Sequence, residues 1–269
     1  MTYVVLTTLS IGMYLLSTAL IIRHVDHVSI TQNSPQRMPI YLAWVAVSLH
    51  TLYIVLAFHK NNGFSFSFFS TASLVAMIVA LLLLMAALKK PVEKLGVVVF
   101  PIAAIMLGLE LNFDDKSQSL LTYNWAMTGH ILTSIIAFSL LNIAALQAAL
   151  LAIQDQQLKS HPPKRFIQSL PSLQAMESLL FQMLTAGLFF LTLALVSGFI
   201  FIEDLFAQHL VHKTVLSILA WLIFSGLLLG RSRYGWRGKT AIQWTVCGFI
   251  LLLLAYFGSK LVLKLILHR

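Results

Sequence analysis

Charge is scarce in this chain of 269 residues: charged side chains fill 10% of positions, against about 25% in soluble domains. Hydrophobic residues make up 59%, and the mean hydropathy is +0.87. A soluble domain of this length has no interior large enough to hide so much apolar surface, so a soluble enzyme is excluded, and so is a disordered chain. The one cysteine, Cys247, excludes an internal disulfide, a CxxC redox pair and a thiolate metal cluster. It lies in an apolar run and reads as a buried, inert thiol. Acids are rare too, nine against eighteen Lys and Arg, for a net charge of +9. In so apolar a chain that excess bears first on membrane topology and gives no reason to expect nucleic acid as a partner. No nucleotide-binding loop and no strong repeat is visible.

What is present is a series of long apolar runs. They are continuous rather than alternating, which favours helices over a transmembrane β-barrel. A helix needs about 20 apolar residues to cross the hydrocarbon core. The pattern predicts eight spans, over residues 3–22, 39–58, 68–88, 95–109, 126–151, 173–201, 210–230 and 240–262. The expected fold is all-α, a polytopic membrane helical bundle of about eight transmembrane helices. Residues 1–269 read as a single integral membrane domain. The fourth span is short and holds Pro101, which predicts a kink. The longest linker is expected over 153–171, around Pro162-Pro163 and Lys164-Arg165. The alternation of Phe and Ser from Phe64 to Phe69 reads as an aromatic anchor at the interface. No Lys or Arg precedes the first span, so it does not read as a cleaved signal.

Basic residues alternate between loops. Those after spans 1, 3, 5 and 7 carry twelve of the eighteen Lys and Arg, including Arg231, Arg233, Arg237 and Lys239. The loops after spans 2, 4 and 6 carry only Lys60, Lys116 and Lys213, together with most of the acids. The positive-inside rule then places the basic loops in the cytoplasm and both termini outside. Lys260, Lys264 and Arg269 run against that arrangement, and a snorkelling last turn accommodates them.

Nine histidines stand in the chain, and six fall toward the predicted outer side: His50, His59, His130, His209, His212 and His268. His24, His27 and His161 are expected in loops. Neutral imidazole is a good ligand for iron, zinc or copper, and paired imidazoles near a membrane surface hold haem in many proteins. An interfacial histidine is also commonly just a polar cap, and both readings stay open for most of these. His50 differs, because about two turns inside a span an imidazole needs a partner. His209 and His212, three apart, share a helix face. No HExxH stands in the chain, which disfavours a zinc hydrolase. Glu177, just after Pro171 at the start of span 6, suits the positive end of a helix dipole. Gly235-Trp236-Arg237-Gly238 predicts a tight turn with glycines at positive φ, Trp236 at headgroup level and Arg237 near lipid phosphate or a helix C-terminus.

Several of these segments also resemble a known family. Tyr123-Asn124-Trp125 followed by His130-Ile131-Leu132 and Ala137-Phe138 is similar to the histidine-led helix of the cytochrome c assembly superfamily. Ala220-Trp221-Leu222-Ile223-Phe224, Gly235-Trp236-Arg237-Gly238 and Ala255-Tyr256-Phe257-Gly258-Ser259-Lys260 resemble its haem-handling CcsA/CcmC type. Leu170-Pro171-Ser172-Leu173 and His212-Lys213-Thr214 point to the HemX/YpjD branch. The resemblance covers about residues 40–262.

The resemblance implies a haem-binding protein of the bacterial inner membrane. Haem would be presented at the outer face to apocytochrome c, with His130 as the outer histidine, His50 as that of the second span and His268 as the late one. His209 and His212 remain further ligand candidates. No enzymatic step of the protein's own is implied: thioether chemistry belongs to haem and the apocytochrome thiols, and the protein orients and ligates. The family's tryptophan-rich loop is absent, Asp114-Asp115-Lys116 and Trp125 standing in its place, and Leu229 stands where the family has a histidine before an arginine. Haem contact is therefore expected more than ligase activity. Two rival readings are a haem-free accessory or regulatory subunit, packed on a cytochrome-biogenesis or other membrane partner or acting on haem synthesis, and a small-molecule transporter.

Overall fold

The computed structural model describes residues 2–27, 37–60, 67–89, 92–113, 125–159, 170–201 and 211–258. Every regular element among them is helical: α1 (Thr2–His27), α2 (Met38–Lys60), α3 (Phe68–Ala87), a 3-10 turn (Glu93–Leu95) running into α4 (Gly96–Asn112), α5 (Trp125–Lys159), α6 (Leu173–Phe201), α7 (Val211–Tyr234), α8 (Lys239–Leu253) and a closing π turn (Leu254–Gly258). Among the described residues, eight helices are long and apolar enough to cross a membrane, as the run pattern predicts.

The boundaries differ where apolarity is a poor guide. α1 continues through His24 and His27, which hydropathy alone places in a loop. α5 runs to Lys159, so the expected linker at 153–171 begins well inside a helix. At 35 residues α5 is about 52 Å long and outreaches a hydrocarbon core of about 30 Å. Its last turns are polar but carry good helix formers, Gln154 to Lys159, and Lys159 pairs with Asp155 one turn back at 2.6 Å. Helical propensity continues where apolarity stops. With the 3-10 turn, the fourth span reaches twenty residues, Glu93–Asn112, and Pro101 lies inside it.

The chain divides into two compact units, α1–α4 in the first and α5–α8 in the second. In the first, α1 packs on α2 and α4, and α3 packs on α2 and α4, so four helices close a ring. α1 presents a stripe of buried polar residues to this ring, Thr7, Ser10, Tyr14, Ser17 and Thr18, at helical spacing. Ser10 donates to the Ala46 carbonyl at 2.9 Å and Ser17 to the Pro39 carbonyl at 2.8 Å, both on α2. Where lipid is as apolar as any side chain, such interhelical bonds and close small-residue packing hold helices together, at about 0.6 kcal/mol per bond. Ser67 caps α3 by accepting from the Ser70 amide at 3.1 Å. Phe69 follows in the first turn and stacks on Phe113. Of the Phe/Ser segment, residues 64–66 lie outside the described residues.

The second unit closes the same way, through α5–α6, α6–α7, α7–α8 and α5–α8. Its neighbours are antiparallel. His130 near the start of α5 meets Ala194 near the end of α6, and Gln147 farther along α5 reaches the Met176 carbonyl at the start of α6. Gly187 lets α5 and α6 approach closely, since a Cβ there would lie 2.7 Å from Leu141 Cγ. The turn between α7 and α8 is as predicted: Gly235 has φ 66° and Gly238 φ 54°. Trp236 folds back over Gly230, where any Cβ would collide with its ring.

Candidate functional site

His130 lies in the second turn of α5, half-buried against α6. Its Nδ1 is 3.0 Å from the carbonyl oxygen of Ala194 and 3.1 Å from Ser197 Oγ. The Ser197 hydroxyl itself donates to the Ala194 carbonyl at 3.0 Å. A carbonyl only accepts, so Nδ1 carries the proton. Nε2 is then left with its lone pair, and among the described residues nothing is bonded to it. Metal-bound histidines are held in this way, one ring N–H on a backbone carbonyl or carboxylate and the other nitrogen turned to the metal.

The same end of the second unit carries further chemistry. Ser134, one turn on from His130, lies near the Tyr256 side chain. Tyr256 sits in the π turn and packs on Phe138 with ring centroids 4.7 Å apart. Such π turns widen a helix locally and recur at functional sites. His212 stands in the first turn of α7, exposed, at this end. Trp221 on α7 donates to Thr192 on α6 at 2.9 Å and fixes the two helices against each other.

His50 is a different kind of site. It lies midway along α2, is 0% exposed, and both ring nitrogens are engaged inside the first unit. Nε2 is 3.0 Å from Ser73 Oγ on α3, and Nδ1 is 3.4 Å from the Tyr14 hydroxyl on α1. The Tyr14 ring meets the imidazole edge-on at 6.1 Å and stacks on Phe100 of α4 at 6.0 Å. The imidazole and its hydroxyl partners join all four helices of the ring. Hydroxyls donate or accept as required, so either tautomer of His50 is fully satisfied.

The other predicted ligands divide in two. His209 and His268 lie outside the described residues, as does His161. The shared face expected for His209 and His212 therefore falls partly outside the described residues, which include His212. His59 is exposed in the last turn of α2, beside Phe58. Cys247, expected to be buried because it lies in an apolar run, is instead exposed on the outer surface of α8, as lipid-facing positions of an apolar helix are, and has no second cysteine to meet. Among the described residues no three His, Cys, Asp or Glu side chains gather as a metal cluster. Haem needs no such cluster, because the porphyrin supplies the equatorial ligands and one or two imidazoles complete the iron.

Sequence reasoning did not find Ala194 and Ser197. An alanine and a serine, 64 and 67 residues from His130, carry no signal of their own. It also read Glu177 as a helix-dipole residue, whereas Glu177 is buried and paired with Arg231 and Arg237.

The chain is similar to known proteins over most of its length. The family model described as cytochrome C assembly protein matches residues 37–267. "Inner membrane protein YpjD" of Escherichia coli (strain K12) is 32% identical over 233 residues, 86% of this chain and 88% of that protein. "Protein HemX" of Brevibacillus brevis is 28% identical over 146 residues, covering 54% of this chain and 53% of that protein. "Cytochrome c biogenesis protein CcsA" of Prochlorococcus marinus (strain NATL1A) is 26% identical over 110 residues, covering 40% and 34%. No solved structure matches the chain.

Proposed function

The chain belongs to the cytochrome c assembly protein family, and from that premise we propose that it binds haem and hands it on during cytochrome or haem biogenesis. The observation that supports this reading best is the state of His130: Nδ1–H held by the Ala194 carbonyl, Nε2 carrying a free lone pair. In this proposal His130 would offer its imidazole to the haem iron. His212 belongs to the same end of the second unit and would be a second candidate to hold the group, with His209 and His268 as further candidates from the sequence. Ligation by His50 requires either Ser73 or Tyr14 to give up its bond, so in this reading His50 first holds the first unit together. The protein performs no covalent step; it ligates and orients.

The inner-membrane name of the Escherichia coli relative and the eight apolar helices support a multi-pass protein of the bacterial inner membrane. The loop charges support an outer position for the His130 end and for both termini. A reporter active only in the cytoplasm should work when fused after Arg237 and stay silent after Asp115; the reverse would place the histidines inside. The functional test is the absorption spectrum of protein purified in mild detergent. A Soret band carried by the wild type and weakened in His130→Ala supports haem ligation. A colourless protein that co-purifies with a membrane partner would favour the accessory-subunit reading instead.

A further inference from the structure

The opposite end of the second unit holds a second polar constellation, and haem binding leaves it unexplained. Along α6, Glu177 lies seventeen residues before Ala194, about 26 Å down the helix. Its side chain is only 9% exposed, yet it meets two arginines. Arg231 Nη1 donates to Glu177 Oε1 at 2.7 Å and to the Trp236 carbonyl at 3.4 Å. Arg237 Nε donates to both carboxylate oxygens, at 3.0 and 3.3 Å. The Arg231 guanidinium also lies 4.6 Å from the centre of the Phe181 ring. One acid thus fixes two guanidinium groups from α7 and the α7–α8 turn.

The clamp leaves charge and donors over. Arg231, Arg233, Arg237 and Lys239 fall within nine residues, and among the described residues Glu177 is the one acid that pairs with any of them, meeting Arg231 and Arg237. Arg237 is 53% exposed, and its Nη1 and Nη2 have no partner among the described residues, so the outer edge of its fork faces away from Glu177. A guanidinium held at Nε and open at its two terminal nitrogens suits a phosphate, which accepts two parallel bonds. The surroundings indicate which phosphate. Trp236 packs on Trp244 with centroids 4.9 Å apart and on Tyr234 at 6.3 Å. Aromatic residues with a polar edge, at the ends of membrane-crossing helices, mark headgroup level. A basic pocket between helix ends at that depth meets lipid headgroups before it meets any solute.

We propose that Arg231 and Arg237, clamped by Glu177 at the α7–α8 turn, form a binding site for the phosphate of an anionic phospholipid. Glu177 is the positioning residue: it holds the two cations together and orients the Arg237 fork outward.

Native mass spectrometry of the full-length protein, released from neutral detergent with equal amounts of phosphatidylglycerol and diacylglycerol, which has the same tails and no phosphate, tests this. The wild type should retain phosphatidylglycerol over diacylglycerol by about tenfold, the size of effect expected of one charge-assisted forked contact. Arg237→Gln should abolish the preference. Arg237→Lys keeps the charge and can still pair with Glu177 but lacks the fork, so the preference should fall several-fold while the unfolding temperature in neutral detergent stays put. Equal retention of the two lipids by the wild type would overturn the proposal. So would full preference in both Arg237 variants, or in Arg237→Lys alone. A purely structural clamp, in which Arg237→Gln lowers the unfolding temperature but not the lipid preference, overturns it as well. Inorganic phosphate, added to delipidated protein, should not raise the unfolding temperature; stabilisation equal to that given by phosphatidylglycerol would assign the site to free phosphate and overturn the lipid.

Discussion

His50 and His130 both sit inside apolar helices, and by sequence alone they make the same offer of a metal ligand. Their partners separate them. His50 in the first unit is bracketed by two hydroxyls, Tyr14 and Ser73, each able to donate or accept, so no ring nitrogen is left over. His130 in the second unit is held by a carbonyl, which fixes the proton on Nδ1 and leaves Nε2 open. Burial does not make a histidine a ligand; the chemistry of its first partner does. The first unit uses its imidazole as a joint for a four-helix ring, and the second holds its imidazole ready.

Breaking the joint should have the largest effect on stability. His50→Ala removes two interhelical bonds, leaves the Tyr14 and Ser73 hydroxyls unpaired in a fully buried place and opens a cavity. Thermal unfolding in detergent should register a loss of about 2–3 kcal/mol, with haem per folded molecule unchanged. A stable His50→Ala protein that lost its haem would reverse the assignment of roles. Gly187→Val tests the other unit by overpacking α5 against α6 at Leu141, at a cost of about 2 kcal/mol. Because those helices also carry His130 and Ala194, haem content should fall with stability here, unlike in His50→Ala. Unchanged haem content would show that the site tolerates a shift between α5 and α6.

A smaller effect sharpens the tautomer argument. Ser197→Ala removes one of two Nδ1 partners and keeps the carbonyl. Haem affinity, measured by titration, should drop about fivefold, below the range for losing a sole supporting partner, with stability close to wild type. An affinity equal to that of the wild type would mean that the carbonyl alone sets the ring. The smallest change belongs to Asp155→Asn, which breaks the exposed pair with Lys159. It should move the unfolding free energy by no more than about 0.5 kcal/mol and leave the spectrum alone; a larger loss would mean that the polar extension of α5 matters more than a solvated helix end should.

The helices were legible because membrane spans are written in long apolar runs, and the Gly235-Trp236-Arg237-Gly238 turn because positive φ calls for glycine. The ends of α1 and α5 were not: both helices continue on polar residues that hydropathy assigns to loops. Of the candidate site, His130 and His50 were legible as histidines where lipid should be. What they do was not, because it depends on Ala194, Ser197, Tyr14 and Ser73, residues without a signature, brought in from other helices. The pairing of Glu177 with Arg231 and Arg237 was hidden for the same reason, since its members lie 54 and 60 residues apart.

The central claim is that His130, and not His50, presents an open nitrogen to haem iron. It is tested most directly by comparing the spectra of wild type, His130→Ala and His50→Ala, purified side by side and normalised to folded protein. The account predicts a Soret band in the wild type, the same band in the folded fraction of His50→Ala, and a weakened band with altered spin state in His130→Ala. Equal haem content in wild type and His130→Ala would contradict it.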